Sequence, residues 1–480
     1  MTGLEQSVDL RLPGRWRALR FSGPAVIVSV GYMDPGNWAT DLEGGARFGY
    51  QLLWVLLASN LIAMLLQSLA VRLGVAGRID LAQACRAYYA RPVALALWLL
   101  CEVAIIACDL AELLGSAIAL NLLFGIPLIS GVLLTAFDVM LILILQHYGI
   151  RKLEAVVGAL VLTIGGCMAL NIWLAQPDWL LVAGGLVPRL DASSLFVAIG
   201  ILGATVMPHN LYLHSSLVQT RRIETNEAAQ REAISYNLVD TALALNIAFF
   251  INAAILILAA SAFFAQGTVV TELRQAHELL TPALGTTLAS TAFAIALLAA
   301  GQSSTITGTL AGQVVMEGFV HLRMSPLARR LLTRLLAIVP AVAVLMYAGE
   351  QGVLQLLVTS QVVLSLQLPF AIVPLIRFTS SRQIVGAFAS PPWMRWLAYS
   401  SALLIIGLNG WLVARMLQGG SVTGSVSSFF VGLVALICSA LLAWVAFAPL
   451  SLASGPVSAK KMTPIAPTGS GGYDGMQKLR

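Results

Sequence analysis

Two short motifs set inside long apolar runs carry side chains suited to holding a cation. The first reads Tyr32-Met33-Asp34-Pro35-Gly36-Asn37 and the second Thr205-Val206-Met207-Pro208-His209-Asn210, so both share the pattern x-Pro-x-Asn. Asp34 supplies a carboxylate. Asn37, three residues on and therefore on the same helical face, adds a neutral oxygen. Met207 adds a thioether, which gains little from magnesium or calcium but binds manganese, iron, cobalt or cadmium. One carboxylate plus one thioether describes a filter against the abundant hard cations. Each residue also has an ordinary explanation: Met207 and Met33 as core fillers, Asn37 as a helix cap, Asp34 as half of an ion pair. No Lys or Arg lies in the middle of the apolar run around Asp34, and the set is more specific than its members.

A second group of polar residues is suited to moving protons. Asp109 and Glu112 lie on one face of another apolar run, and acids placed so deep in a membrane usually mark relays. The alternative is a structural pairing with an arginine, for which Arg330 or Arg334 is available. His209, next to Pro208, titrates near neutral pH in its unperturbed form. Asp138, Asp240 and Glu317 are further acids in or near apolar runs, suited to packing or gating.

The elements that must position these residues follow from composition. The chain has 480 residues, of which 58% are hydrophobic and 10% charged, with a mean hydropathy of +0.86. A soluble domain needs about 25% charged residues to cover its surface, so lipid is the expected solvent. Apolar stretches suggest twelve spans near 22–46, 50–76, 93–123, 128–147, 153–175, 193–219, 233–265, 283–320, 331–349, 351–376, 396–417 and 427–449. All of the 28 Lys and Arg residues except Arg47, Arg189, Arg274 and Arg415 then fall on one side. The positive-inside rule makes that side cytoplasmic, with both termini there. The net charge of +6 is thus a topology signal and not a sign of a nucleic-acid partner. Cys85, Cys101, Cys108, Cys167 and Cys438 include no CxxC pair and read as packing residues. No GxxxxGK[ST] phosphate loop is present, nor a cleavable signal peptide.

The two proline motifs interrupt the first and sixth spans. Proline lacks an amide donor and crowds the preceding turn, so each helix unwinds just before it. Unwinding leaves the carbonyls of Gly31 and Ala204 without helical partners. Broken helices five spans apart are the mark of an inverted-repeat transporter, because an odd offset turns the second repeat upside down. The expected fold is an all-α membrane protein: five plus five helices in inverted repeats, with about two more C-terminal helices. The boundaries are a cytoplasmic segment 1–21, repeats 22–176 and 193–376, two additional helices within 396–449, and a tail 450–480 expected to be disordered.

These segments resemble the Nramp (natural resistance-associated macrophage protein) family of proton-coupled divalent metal transporters, its bacterial MntH-like members especially. The likeness is carried by GPAVIVSVGYMDPGNWATDLEGGARFGYQLLW at 23–54, CDLAELLG at 108–115 and GATVMPHNLYLHSSLVQTR at 203–221. It continues in AAGQSSTITGTLAGQVVMEGF at 299–319 and TSQVVLSLQLPFAIVPL at 359–375. The resemblance implies a LeuT-like fold and a metal site of Asp34, Asn37, Met207, the carbonyls of Gly31 and Ala204, and Gln361. It implies a proton route through His209, Asp109 and Glu112, with His214 also matched. His214 lies about 140° around an ideal helix from His209, so the two do not face one narrow wire. It further implies manganese or ferrous iron, with cadmium or cobalt also accepted, and H+ as transported species, and no cofactor. The surroundings would be lipid, with neither nucleic acid nor an obligate protein partner. The segment 427–449 departs from relatives that end after eleven spans.

Three other readings compete. A sodium-coupled amino-acid transporter on the same fold would need a wider pocket with free helix ends, where Asp34 and Met207 stand. A membrane-embedded enzyme would need a motif such as HExxH, which is missing. A membrane metal sensor without transport differs only in flux.

Overall fold

The computed structural model describes residues 8–9, 21–135, 149–268, 270, 273–320, 326–347, 349, 351–418 and 425–450. Within these, helices dominate. The first span is split into 1a (Pro24–Gly31) and 1b (Pro35–Phe48). Spans 2 (Leu53–Ala76), 3 (Arg91–Phe124) and 5 (Ile150–Ala175) follow. The sixth is split into 6a (Ser194–Thr205) and 6b (Pro208–Leu217). Spans 7 (Glu227–Ala262), 8 (Thr287–Val320) and 9 (Pro326–Tyr347) come next. The tenth divides at Leu368 into 10a (Gln351–Gln367) and 10b (Pro369–Ser380). Spans 11 (Pro392–Gln418) and 12 (Ser425–Phe447) complete the order. Of the expected fourth span only Leu128–Thr135 is described. Asp138, most of the 1–21 segment and all but Leu450 of the 450–480 tail lie outside the described residues.

Eight helical stretches among the described residues are long and apolar enough to cross a membrane, and the chain is a multi-pass membrane protein. The two halves of the first span, of 8 and 14 residues, are not among them. Large apolar side chains point outward at Leu162, Leu243, Phe250, Leu335, Val339 and Leu403, a surface that only lipid solvates cheaply.

The broken spans sit at the centre. Span 1b packs on span 7, 6a on 10a and 1b, and span 8 on spans 3, 5 and 1a. Close approach depends on missing side chains. A Cβ on Gly45 would lie 2.3 Å from the Leu256 carbonyl oxygen, and one on Gly203 2.3 Å from that of Gln361.

The first helix is tied down at its start. Asp240 accepts from Ser22 Oγ at 2.8 Å and from the Gly23 and Ala25 amides at 3.1 Å each. These are the donors that a helix N-terminus leaves without partners. Arg221 pairs with Glu154 at 2.8 Å and donates to the Ser22 carbonyl at 2.7 Å. Arg151 bonds both the Ser22 carbonyl and Glu154. Beside them Val8–Asp9 and Arg221–Arg222 form a two-residue parallel strand pair. Span 6a begins more simply. Asp191 accepts from the Ser193 hydroxyl and the Ser193 and Ser194 amides. Those bonds, the Ser193 hydroxyl foremost, pull its carboxyl down to about 2.

The twelfth helix is anchored through its last carbonyls. Arg377 of 10b donates to the Val445 and Ala448 oxygens, and the Tyr89 hydroxyl reaches Val445 at 3.1 Å.

Candidate metal site

Proline explains which backbone oxygens face the centre. In a continuous helix the Gly31 carbonyl would accept from residue 35 and the Ala204 carbonyl from residue 208. Both positions are proline, so neither bond exists. Helix 1a stops at Gly31 and 6a at Thr205, and the chain restarts at Pro35 and Pro208. Asp34 becomes the N-cap of 1b, its Oδ1 accepting from the Asn37 amide at 2.8 Å.

The Asn37 side chain gathers the oxygens of both breaks. Its Nδ2 lies 2.7 Å from Asp34 Oδ1, 3.1 Å from the Ala204 carbonyl and 3.3 Å from the Gly31 carbonyl. Three oxygens from two broken helices thus converge on one donor. Asp34, Asn37, Met207 and Gln361 are all buried. Met207 packs with Ala104, Cys108 and Leu364. Gln361 crosses Gly36 so closely that a Cβ there would lie 1.8 Å from its Nε2. Its Nε2 bonds Ser360 Oγ at 3.0 Å, while its Oε1 has no hydrogen-bond partner. The second motif mirrors the first: a Cβ on Gly31 would lie 2.3 Å from Asn210 Nδ2. Each asparagine therefore reaches across to the other broken helix.

Asp109, Glu112 and His209 lie beside this centre. The Cys108 thiol stands 3.9 Å from Asp34 Oδ2 and 3.6 Å from Glu112 Oε1, linking the first break to span 3. His209 is buried, and its Nδ1 has no hydrogen-bond partner. Arg334 donates to the Asp109 backbone carbonyl at 3.3 Å. Arg329, by contrast, pairs with Glu102 one level away on span 3, with Nη2 3.1 Å from each carboxylate oxygen. The side chain of Arg330 is outside the described residues. His214 is set apart: its Nδ1 bonds Gln67 Oε1 at 2.9 Å, and Gln67 Nε2 donates to the Tyr32 hydroxyl at 2.8 Å.

Two contributors escaped sequence reasoning. Asn252 of span 7 donates to the Tyr32 carbonyl at 2.6 Å and approaches Asn37 Oδ1 at 3.4 Å. It is one amide in the apolar run FFINAAILIL, which was its only signal. Cys108 read as packing, and only the fold brings it between two acids.

Comparisons with known proteins bear on the fold and the family. The family model described as "Natural resistance-associated macrophage protein-like" matches residues 25–415, leaving span 12 beyond the match. The divalent metal cation transporter MntH of Xanthomonas campestris is 58% identical over 410 residues, covering 84% of this chain and 92% of that protein. MntH of Nostoc is 55% identical over 420 residues, covering 86% and 95%. Among solved structures, a mutant of the Eremococcus coleocola manganese transporter superposes with a TM-score of 0.85 at 37% identity, covering 93% and 98%. Mhp1, a nucleobase-cation-symport-1 family transporter, superposes at 0.57 with 16% identity, covering 92% and 93%, a likeness of fold alone. The relatives are membrane metal transporters and not enzymes. With the family model spanning most of its length and relatives above half identity, the chain belongs to the Nramp family.

Proposed function

We propose that this protein imports divalent transition-metal ions, manganese or ferrous iron foremost, together with protons. The observation that carries the reading is the convergence of Asp34 Oδ1 and the Gly31 and Ala204 carbonyls on the Asn37 amide. Turning that amide over exchanges Nδ2 for Oδ1 among the three oxygens, which gives a dehydrated cation four oxygen donors. Met207 adds the sulfur that disfavours calcium and magnesium, and Gln361 brings a buried oxygen from span 10. Manganese transport by the Eremococcus coleocola protein supports the substrate class.

The mechanism follows from the breaks. Hinges at Pro35 and Pro208 let 1a and 6b move while 1b and 6a stay packed, exposing the site to each side in turn. Asp240, Glu154 and Arg221 hold 1a shut at its start. In the orientation set by the basic residues, with both termini on the cytoplasmic side of the inner membrane, that is the inner gate. Protons move through Asp34, His209, Asp109 and Glu112, with His214 and its Gln67 and Tyr32 partners beside that route. An inside-negative potential contributes about 2.3 kcal/mol per charge per 100 mV, roughly twice that for a divalent ion, which favours uptake.

The test is manganese flux into proteoliposomes with calcium as competitor, repeated at falling external pH. Uptake that rises with acidity and resists calcium supports the reading. Flux indifferent to pH sinks the coupling, and binding with no flux makes the chain a sensor.

A further inference from the structure

Asp41 is a fully buried carboxylate that the proposed route does not use. It is 0% exposed, and neither of its side-chain oxygens has a hydrogen-bond partner. It stands seven residues after Asp34 on span 1b, two turns along the same face and about 10 Å further out. That face is turned to span 7: Asn37 meets Asn252, while a Cβ on Gly45 would press on Leu256 and Ala259. Asp41 falls between these two contacts. The Oδ1 of Asn252 is itself a buried acceptor without a donor.

No positive charge faces Asp41 from the elements packed on span 1b. Span 7 from Thr241 to Ala262, all of 6a, all of 10a, span 8 from Thr287 to Gln302 and span 3 from Leu113 to Phe124 contain no ionisable acid or base. The turn Phe264–Gln266 contains none either. The carboxylates in the middle of the bundle are Asp34 on its own helix and Asp109 and Glu112 deeper on span 3, while the bases of the packed helices, Arg91 of span 3 and Arg231 of span 7, stand in the first turns of those helices, away from these segments. On span 1b itself, Arg47 is engaged by Glu43 near the surface. An ionised carboxylate buried with acceptors and acids for company is strongly disfavoured. A proton needs no further ligand, whereas a metal needs several, and neither Asp41 oxygen has a polar partner.

We propose that Asp41 is a second proton-carrying carboxylate on span 1b, holding its proton while Asp34 carries no metal and releasing it when a divalent cation binds there. The step is a deprotonation: one O–H bond at the Asp41 carboxyl breaks, and the proton leaves to water or buffer. The cause is electrostatic. An empty Asp34 repels a second negative charge on the same face, and a cation on Asp34 reverses the sign. This inference rests on the reading of Asp34 as a metal ligand.

Calorimetry of Mn2+ binding, run in buffers of different ionisation enthalpy, counts the protons released per ion. Asp41→Asn is close to isosteric and keeps the metal ligands, and it should release about one proton fewer than wild type. Asp41→Glu should restore the wild-type count. Equal counts for wild type and Asp41→Asn overturn this proposal and leave the metal reading standing, whereas a wild type that binds no Mn2+ overturns both. Should Asp41→Asn fail to fold, infrared difference spectra of wild type and Asp41→Glu with and without Mn2+ decide. A protonated-carboxyl band that vanishes on binding and shifts in the Glu variant supports the proposal; an unchanged spectrum overturns it.

Discussion

The two breaks begin from the same pattern, x-Pro-x-Asn, and become different structures. At the first, Asp34 caps 1b through its own carboxylate, and Asn37 binds oxygens of both helices. At the sixth, Met207 occupies the N-cap with no side-chain cap bond, and both side-chain atoms of Asn210 lack hydrogen-bond partners. Proline sets the backbone, so both breaks release one carbonyl toward the centre. The residue before the proline sets the chemistry: charge on one side, a polarizable sulfur on the other.

That contrast can be broken one residue at a time. Asp34→Ala removes the charge and should lower manganese uptake by roughly a hundredfold or more, the scale of about 3 kcal/mol for a buried charged contact. Uptake within tenfold of wild type, in protein that elutes and melts normally, would remove the first break from the metal site. Gly36→Ala should follow at roughly tenfold, since a side chain there displaces Gln361 and about 1.4 kcal/mol is a tenfold effect. Adding Gln361→Ala should recover part of that loss; no recovery would mean the crossing of Gly36 by Gln361 is incidental. Met207→Ala should weaken manganese binding by about fivefold while raising calcium competition, because only the soft donor is lost. Equal losses for both ions would make Met207 a packing residue. Asn210→Ala should be mildest, within about threefold, because it forfeits no existing hydrogen bond. A loss as large as that of Asp34→Ala would show the breaks to be equivalent in chemistry as well as in backbone.

Much of this was legible before any coordinates. Hydropathy placed the spans, and each of the eight long apolar helices falls on an expected one. The prolines located both breaks and so named the Gly31 and Ala204 carbonyls. The interruption at Leu368 was not anticipated, although Pro369 was its cue. The 140° offset separated His214 from His209, and the structure gives His214 to Gln67. Cys108, Asn252 and Asp41 were passed over: Asn252 is one amide in an apolar run, Cys108 stands beside the more conspicuous Asp109, and Asp41 stands between Thr40 and Glu43.

The sequence by itself determined solvent, the apolar spans and the points where helices end, because these depend on hydropathy and proline, both local properties. Only the tertiary structure decided which groups meet. Asn37 reaches Ala204 across 167 residues and Asn252 reaches Tyr32 across 220. Such contacts arise when separate helices pack, and in lipid any apolar face packs about equally well. It is the small residues and stray polar groups, invisible to periodicity, that choose the partner.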